Sequence, residues 1–319
     1  VSGKILADKG DSDLWRMSRL RWLDSTKGAD ENVIPPYIPL KVSGNTVSLL
    51  NRAVTFDSIG LPAKITSNKH SVISSPISLS IETGNGMLAI SSACPTKILK
   101  KTDANYERIN TFTADGLKGT VYSKTEFDGC ISYEINLKAS KAIDIHNIGL
   151  TMSQPKSIAE YMSSMSYRGG YRPSVWKWSW DINRAENMVW LGNVDAGLQL
   201  KLTPDKDVWS SDLKESGLPD GWNSGGRGGC NIGEVKNSVL TQVYTGKRTL
   251  KAGQNLKYRF RFMITPVKPI GNQHWSWRVG ANIAHEHHGT STHPYINYPF
   301  LTIDRLKYSV ESTKHPKLG

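Results

Sequence analysis

The chain has 319 residues, a formal net charge of +12 and 38% hydrophobic residues, among them ten Trp and twelve Tyr. This composition is that of a globular protein and excludes an intrinsically disordered chain, and no run of eighteen apolar residues predicts a membrane-spanning helix. The length allows one large β domain or two ordinary domains.

Strand signals dominate the first half of the sequence. The runs at 75–83, 119–127 and 130–139 are rich in β-branched and aromatic residues, and glycines separate such runs at short intervals. In the last run, apolar residues alternate with polar ones: Ile131, Tyr133, Ile135 and Leu137 against Ser132, Glu134 and Asn136. Such alternation predicts a half-buried antiparallel strand. Many short strands with glycine turns predict a mainly β protein, a large antiparallel β-sandwich.

An aromatic segment follows at 167–190. Trp176, Trp178 and Trp180 are spaced by two, so they share one face of a predicted strand. Aromatic rings suit the axial C–H groups of sugars, which makes these three tryptophans candidate substrate-binding residues. The alternative is that they line the core of the sandwich or a domain interface. Just before this segment, residues 157–165 predict one or two helical turns.

The next segment, 211–233, contains seven glycines and predicts a long functional loop or a flexible excursion. Beyond it, apolar and basic residues alternate: Leu256, Tyr258, Phe260 and Phe262 against Lys257, Arg259 and Arg261. This pattern predicts a strand with a basic exposed face.

The charge of the chain is concentrated in its last quarter. Residues 236–319 carry thirteen Lys or Arg against three Asp or Glu. A basic surface attracts nucleic acids, anionic membranes or acidic polysaccharides, and the alternative is a merely solvated basic face. No nucleic-acid motif is present, so we expect no nucleic-acid partner.

Four histidines lie within nine positions near the end of the chain: His285, His287, His288 and His293. Their spacing lacks the i, i+4 pair of a zinc hydrolase helix, so the sequence predicts neither a metal site nor a cofactor there. Hydrogen bonds to a ligand or within the loop are the favoured interpretation. Residues 301–315 then predict an amphipathic helix. A single strand, loop and helix cannot bury its own apolar faces.

No motif of nucleophilic catalysis or phosphate binding is present, and no pattern selects the two carboxylates of a glycosidase, so the catalytic residues are unknown at this level. The three cysteines, Cys94, Cys130 and Cys230, do not make a disulfide framework. A single Cys94 to Cys130 bridge is the pairing that an oxidising compartment would allow.

Five blocks, in order along nearly the whole chain, resemble large bacterial carbohydrate-active proteins related to glycoside hydrolase family 123. These blocks are residues 19–67, 176–202, 221–230, 246–270 and 287–310. They are specific because they combine Trp, Gly and Pro residues in characteristic arrangements.

This resemblance implies a β-sandwich of the supersandwich or mutarotase-like type over 1–280. It also implies the first strand, loop and helix of a (β/α)-barrel catalytic domain over 281–319. Such barrels carry their sites on the loops after the strands. The resemblance therefore implies that one group of residues contacts substrate: His287, His288, Thr290, His293, Asn297 and Tyr298.

The function implied is the non-catalytic sandwich portion of a glycoside hydrolase-like enzyme that degrades glycans. The acidic pair of family 123 lies deeper in the barrel, so this chain alone is expected to be inactive and to be part of a larger polypeptide. One alternative is a carbohydrate-binding or scaffold domain without catalysis. Another is a lyase or hydrolase for acidic glycans. The expected partner is an oligosaccharide or polysaccharide, and the expected location is secreted, periplasmic or on the surface of a bacterium.

Overall fold

The structure is a computed structural model that describes residues 30–184, 186–205 and 213–269. Within these ranges the chain forms twenty-one strands and two short helices. In chain order they are β1 (Lys41–Ser43), β2 (Thr46–Leu49), β3 (Arg52–Phe56), β4 (Pro62–Ser67), β5 (His70–Ser71), β6 (Ser75–Thr83), β7 (Gly86–Met87), β8 (Ser91–Lys101), β9 (Asn105–Ala114), β10 (Leu117–Glu126), β11 (Cys130–Ala139), β12 (Ile143–Pro155), β13 (Tyr161–Ser164), β14 (Tyr167–Tyr171), β15 (Val175–Ser179), β16 (Met188–Gly192), β17 (Gly197–Leu202), α1 (Leu213–Ser216), α2 (Asp220–Asn223), β18 (Gly229–Val235), β19 (Ser238–Tyr244), β20 (Arg248–Leu250) and β21 (Asn255–Thr265).

The strands form three antiparallel sheets. The first is a five-stranded meander in the order β1-β2-β3-β4-β5. The second has nine strands in the order β14-β13-β16-β17-β21-β11-β10-β9-β8. The third has seven strands, with β15-β18-β19-β12-β6-β7 in a row and β20 paired to β12. The predicted large antiparallel β-sandwich is therefore confirmed.

Alternation along the strands explains why the sheets pack on each other. In β11, Ile131, Tyr133, Ile135 and Leu137 are buried, whereas the residues between them are more exposed. In β21, Leu256, Tyr258, Phe260 and Phe262 are buried as predicted. These side chains join one continuous apolar cluster to which all three sheets contribute. Because side chains alternate between faces, the other face of the nine-stranded sheet is polar; we call it the outer face.

Two local predictions are corrected by the structure. Residues 157–165 do not form a helix of one or two turns: a turn in which Ala159 N donates to Pro155 O leads directly into β13. Strand pairing prevails over the local preference for a helical turn, because β13 is paired with β14 on one side and with β16 on the other.

The segment 211–233, where described, is not an open excursion. It holds α1 and α2, and Trp222 of α2 is fully buried, with its Nε1 donating to Arg259 O at 2.8 Å. A side chain at Gly221 would collide with Lys257 O, which explains a glycine there.

The bridge between Cys94 and Cys130 that the sequence left open is not formed. Both thiols are free, and Cys94 lies on β8 whereas Cys130 lies on β11. Two strands separate them, so the backbones are about 14 Å apart at least, far beyond the reach of a disulfide. The domain boundary at 280 and the helix at 301–315 lie outside the described residues.

Candidate functional site

The polar outer face of the nine-stranded sheet is the candidate functional site. Strand register sets its order. Tyr122 of β10 is opposite Glu134 of β11, which is opposite Arg259 of β21. A second row lies two residues along and runs from β9 to β17: Glu107, Lys124, Ser132, Arg261 and Lys201. The prediction of a basic exposed face on β21 is confirmed, since Lys257 is exposed and Arg259 and Arg261 are half-buried.

Glu134 is the electrostatic centre of this face. Its Oε2 accepts a hydrogen bond from Arg259 Nε at 2.9 Å, and its Oε1 accepts one from Asn136 Nδ2 at 3.0 Å. Lys257 Nζ lies 3.7 Å from the same carboxylate. Partial burial works against ionisation, but these donors and charges outweigh it and lower the pKa of Glu134. The carboxylate is therefore fixed in its ionised form.

Tyr122 is the aromatic residue beside this centre. Its hydroxyl donates to Glu107 Oε2 at 2.9 Å. Burial, together with the hydrogen bond to Glu107, raises the pKa of Tyr122 to about 12. At neutral pH the phenol therefore keeps its proton and acts as a donor.

A depression of about 100 Å³ opens between these residues. Its lining comprises Tyr122, Ser132, Tyr133, Glu134, Thr203, Arg259, Phe260 and Arg261. Thr203 is buried, and its Oγ1 has no hydrogen-bond partner among the described residues. The wall thus combines guanidinium and hydroxyl donors with an ionised carboxylate acceptor, a set that suits hydroxyl-rich ligands.

The other end of the outer face is aromatic. Tyr161 of β13 and Tyr171 of β14 are a directly opposed pair whose ring centroids lie 5.0 Å apart. A hydrogen bond with Tyr171 raises the pKa of the Tyr161 phenol. Trp190 of β16 follows on the next strand, and its Nε1 donates to Thr265 Oγ1 at 2.9 Å. We call Tyr171, Tyr161 and Trp190 the aromatic row.

A larger depression of about 600 Å³ lies beside β9 and β10. It contains three carboxylates among its lining residues, Asp30, Glu31 and Glu126. Glu31 forms an ion pair with Lys100, and Glu126 accepts a hydrogen bond from Lys124 Nζ at 2.8 Å. The two glutamates are therefore already paired with lysines, whereas Asp30 Oδ1 accepts a hydrogen bond from Asn32 N.

The predicted tryptophans lie elsewhere, on and next to β15 in the seven-stranded sheet. Trp178 is only 6% exposed and belongs to the core, the alternative that the sequence left open. Trp176 and Trp180 are half-buried against that core. Trp176 Nε1 donates to Met165 O at 2.8 Å, and the Trp180 ring meets that of Trp178 edge to face. Contact of these two residues with a glycan stays a prediction.

The other predicted site residues lie outside the described residues: His287, His288, Thr290, His293, Asn297 and Tyr298. Sequence reasoning missed Tyr122, Lys201 and the aromatic row as a group. Trp190 and Tyr171 stand in the aromatic segment that it noticed, but Tyr161 stood in a predicted helix. Only the register of β13, β14 and β16 brings the three together.

Among the described residues, no group of three or more His, Cys, Asp or Glu side chains is placed to hold a metal ion. None of the described helices is long and apolar enough to cross a membrane.

The sequence matches the family described as "Glycoside hydrolase 123, third domain" over residues 40–266. No curated protein matches the sequence. This range coincides with the described sandwich, because β1 begins at Lys41 and β21 ends at Thr265.

Several solved structures are similar at very low identity. A galactose mutarotase related enzyme from Lactobacillus acidophilus has a TM-score of 0.42 at 6% identity, over 72% of this chain and 98% of that one. An alpha-N-acetylgalactosaminidase from Bifidobacterium bifidum has a TM-score of 0.43 at 9% identity, over 72% of this chain and 36% of that one. A heparan sulfate lyase from Pedobacter heparinus has a TM-score of 0.41 at 8% identity, over 69% and 33%. This chain thus spans about a third of each of the last two.

Proposed function

The chain belongs to the family of the third domain of glycoside hydrolase 123, and from that premise we propose that it is the non-catalytic β-sandwich portion of a glycoside hydrolase-like enzyme acting on glycans. The coincidence of the family match with the sandwich carries this proposal. The rest of the active site belongs, on this proposal, to a barrel domain that begins within 281–319 and continues in a larger polypeptide. Secretion to the periplasm or cell surface is part of the proposal, since polymeric glycans are met outside the cell.

The state of the carboxylates supports a non-catalytic role. Glycoside hydrolysis needs one carboxyl that donates a proton and a second that acts as nucleophile or base. On the outer face, Glu134 is held ionised by Arg259 and Asn136. Glu107 accepts from Tyr122, and Glu126 accepts from Lys124. Glu134, whose lowered pKa stabilises its ionised form, is a poor general acid.

The experiment is a paired assay of the 319-residue chain and of a longer polypeptide from the same reading frame. Both are incubated with aryl glycosides and natural glycans, and reducing ends are counted. We expect hydrolysis only by the longer polypeptide. Turnover by the 319-residue chain would refute the non-catalytic assignment, and inactivity of both would refute the enzymatic one.

A carbohydrate-binding domain without any catalysis is the second candidate, and it is favoured by the aromatic row, in which Tyr171 is exposed and Tyr161 and Trp190 are half-buried. An enzyme for acidic glycans is the third, and it is favoured by Lys201, Arg259 and Arg261 on the outer face. As a lyase, it would need a base beside the acidic sugar, and Tyr122, with a pKa of about 12, is protonated at neutral pH. Absorbance of an unsaturated product released from uronic-acid polymers would identify a lyase.

A further inference from the structure

The aromatic row runs diagonally across the outer face. Tyr171 and Tyr161 are directly opposed, and Tyr161 is opposite Gly192, two residues from Trp190. Diagonal neighbours in an antiparallel sheet lie about 7–8 Å apart, within reach of aromatic side chains. Trp190 is therefore the next ring along the line that the two tyrosines begin.

Tyr171 is presented to solvent, Tyr161 and Trp190 are half-buried, and the structure holds Tyr171 and Trp190 in place. Tyr171 is 71% exposed, whereas its hairpin is fixed by Tyr167, whose hydroxyl donates to Tyr171 O at 2.6 Å. The Trp190 indole occupies the space that side chains at Gly192 and Gly197 would fill. Its hydrogen bond to Thr265 then fixes the position of the ring. Preorganised rings lose little conformational entropy when a ligand binds.

Basic residues continue the line. Trp190 is opposite Gln199 of β17, which makes Lys201 its diagonal neighbour. Lys201 is in turn opposite Arg261 of β21. From β14 to β21 the line crosses four strand spacings, or about 19 Å. Among the described residues, Lys201 forms no ion pair with a carboxylate. The Trp190 indole itself lies over Gly192 and Gly197, so the positive charge of Lys201 lies at the other side of the Trp190 backbone position and borders the aromatic row.

We propose that the aromatic row stacks against pyranose rings of a glycan chain, and that Lys201 and Arg261 bind an anionic group, a carboxylate or a sulfate, on the same chain. The inference rests on the proposed function, to which it adds the substrate class and the place of contact. Sugar rings fit the row because their C–H groups pack on aromatic faces while tyrosine hydroxyls bind their polar edges. Anionic groups fit the basic end by charge complementarity.

The test is titration of the 319-residue chain with three sets of oligosaccharides: neutral, uronate-containing and sulfated. Binding is followed by calorimetry and by Trp fluorescence. We expect Tyr171→Ala to weaken binding of the acidic ligands about tenfold through loss of one stacked ring. Trp190→Phe should remove most of the fluorescence change. Lys201→Gln should weaken binding of the acidic sets and reduce its salt dependence, and should leave neutral sugars unaffected.

The matched controls are Ile98→Ala and Lys64→Gln. Ile98 is 54% exposed on β8, the opposite edge of the same sheet, and Lys64 is exposed on β4. Both should bind like the wild type. The uronate and sulfate arms show which anion is preferred. Unchanged affinity in Tyr171→Ala and Trp190→Phe, or no binding of any oligosaccharide by the wild type, would overturn this inference. Neither result would refute the proposed function, because that function is tested separately by the hydrolysis assay of the 319-residue chain and the longer polypeptide.

Discussion

Arg52 of the five-stranded sheet donates from Nη1 to Ile264 O of the nine-stranded sheet at 2.9 Å. The same guanidinium reaches Asp128 O and Val267 O at 2.6 Å each. Burial lowers the pKa of Arg52 to about 10, so the group stays charged at neutral pH. A single side chain therefore satisfies carbonyls at the end of the last strand and ties two sheets together.

Replacing Arg52 by Lys should destabilise the sandwich by about 3 kcal/mol, because one ammonium cannot reach the same carbonyls and buried acceptors lose their donors. The measurement is the urea midpoint at constant m-value. The control is Arg168→Lys at an exposed site on β14, expected to change stability by less than about 0.5 kcal/mol. Equal midpoints for the two variants would contradict the bridging role.

Gly119 of β10 is opposite Phe112 of β9, and a Cβ at Gly119 would overlap the buried Phe112 ring. Gly119→Ala should therefore cost about 1–3 kcal/mol through overpacking. Adding Phe112→Leu should recover part of that loss, which a double-mutant cycle measures as coupling. Gly233→Ala is the control, since nothing lies within 4 Å of its Cβ. If the stability changes of Gly119→Ala and Phe112→Leu were strictly additive, the packing of the Phe112 ring would not depend on the absence of a side chain at Gly119.

The strands β11 and β21 were predictable because each shows several consecutive alternations of apolar and polar residues. The packed segment around α2 was not. Gly221 and Gly228 are required by close backbone contacts, to Lys257 O and Trp222 O respectively. In sequence, a glycine required by close approach looks the same as a glycine in a flexible loop.

The candidate site was predictable only in part. The basic face of β21 follows from local alternation. The neighbours of that face do not, since β17 pairs with β21 across some sixty residues of chain, and register between distant strands leaves no local signal. The position of Tyr161 on a strand was harder still to predict, because residues 157–165 have the composition of a helical turn. Its pairing with Tyr171 arises only when β13 and β14 form a hairpin.

Glu134→Gln should make stability less dependent on pH. Because the folded-state pKa of Glu134 lies below its ordinary value of 4.5, its contribution is present above that pH and is lost as pH falls through the folded pKa. Because the ion pair of Glu134 and Arg259 is partly exposed to solvent, it contributes only about 0.5–1 kcal/mol to the free energy of unfolding. Chemical denaturation at pH 7 should therefore find the variant less stable by this amount, and the gap should close as the pH falls from 4.5 through the lowered folded-state pKa of Glu134. Glu82→Gln, at an exposed residue of β6, should show no such gap. If the wild type and Glu134→Gln differed in stability by the same amount at pH 7 and at acidic pH, the charge of Glu134 would not be the cause of the difference.

The three cysteines should react with a thiol reagent at very different rates. The thiolate is the reactive form, and Cys94 is exposed. Burial raises the pKa of Cys130 to about 11 and that of Cys230 to about 12. We expect one thiol to react rapidly in the native protein at pH 8 and three to react after denaturation without reductant. Cys94→Ser should abolish the rapid phase. Finding a single thiol in the denatured, unreduced protein would instead demonstrate a disulfide and would contradict the separation of β8 from β11.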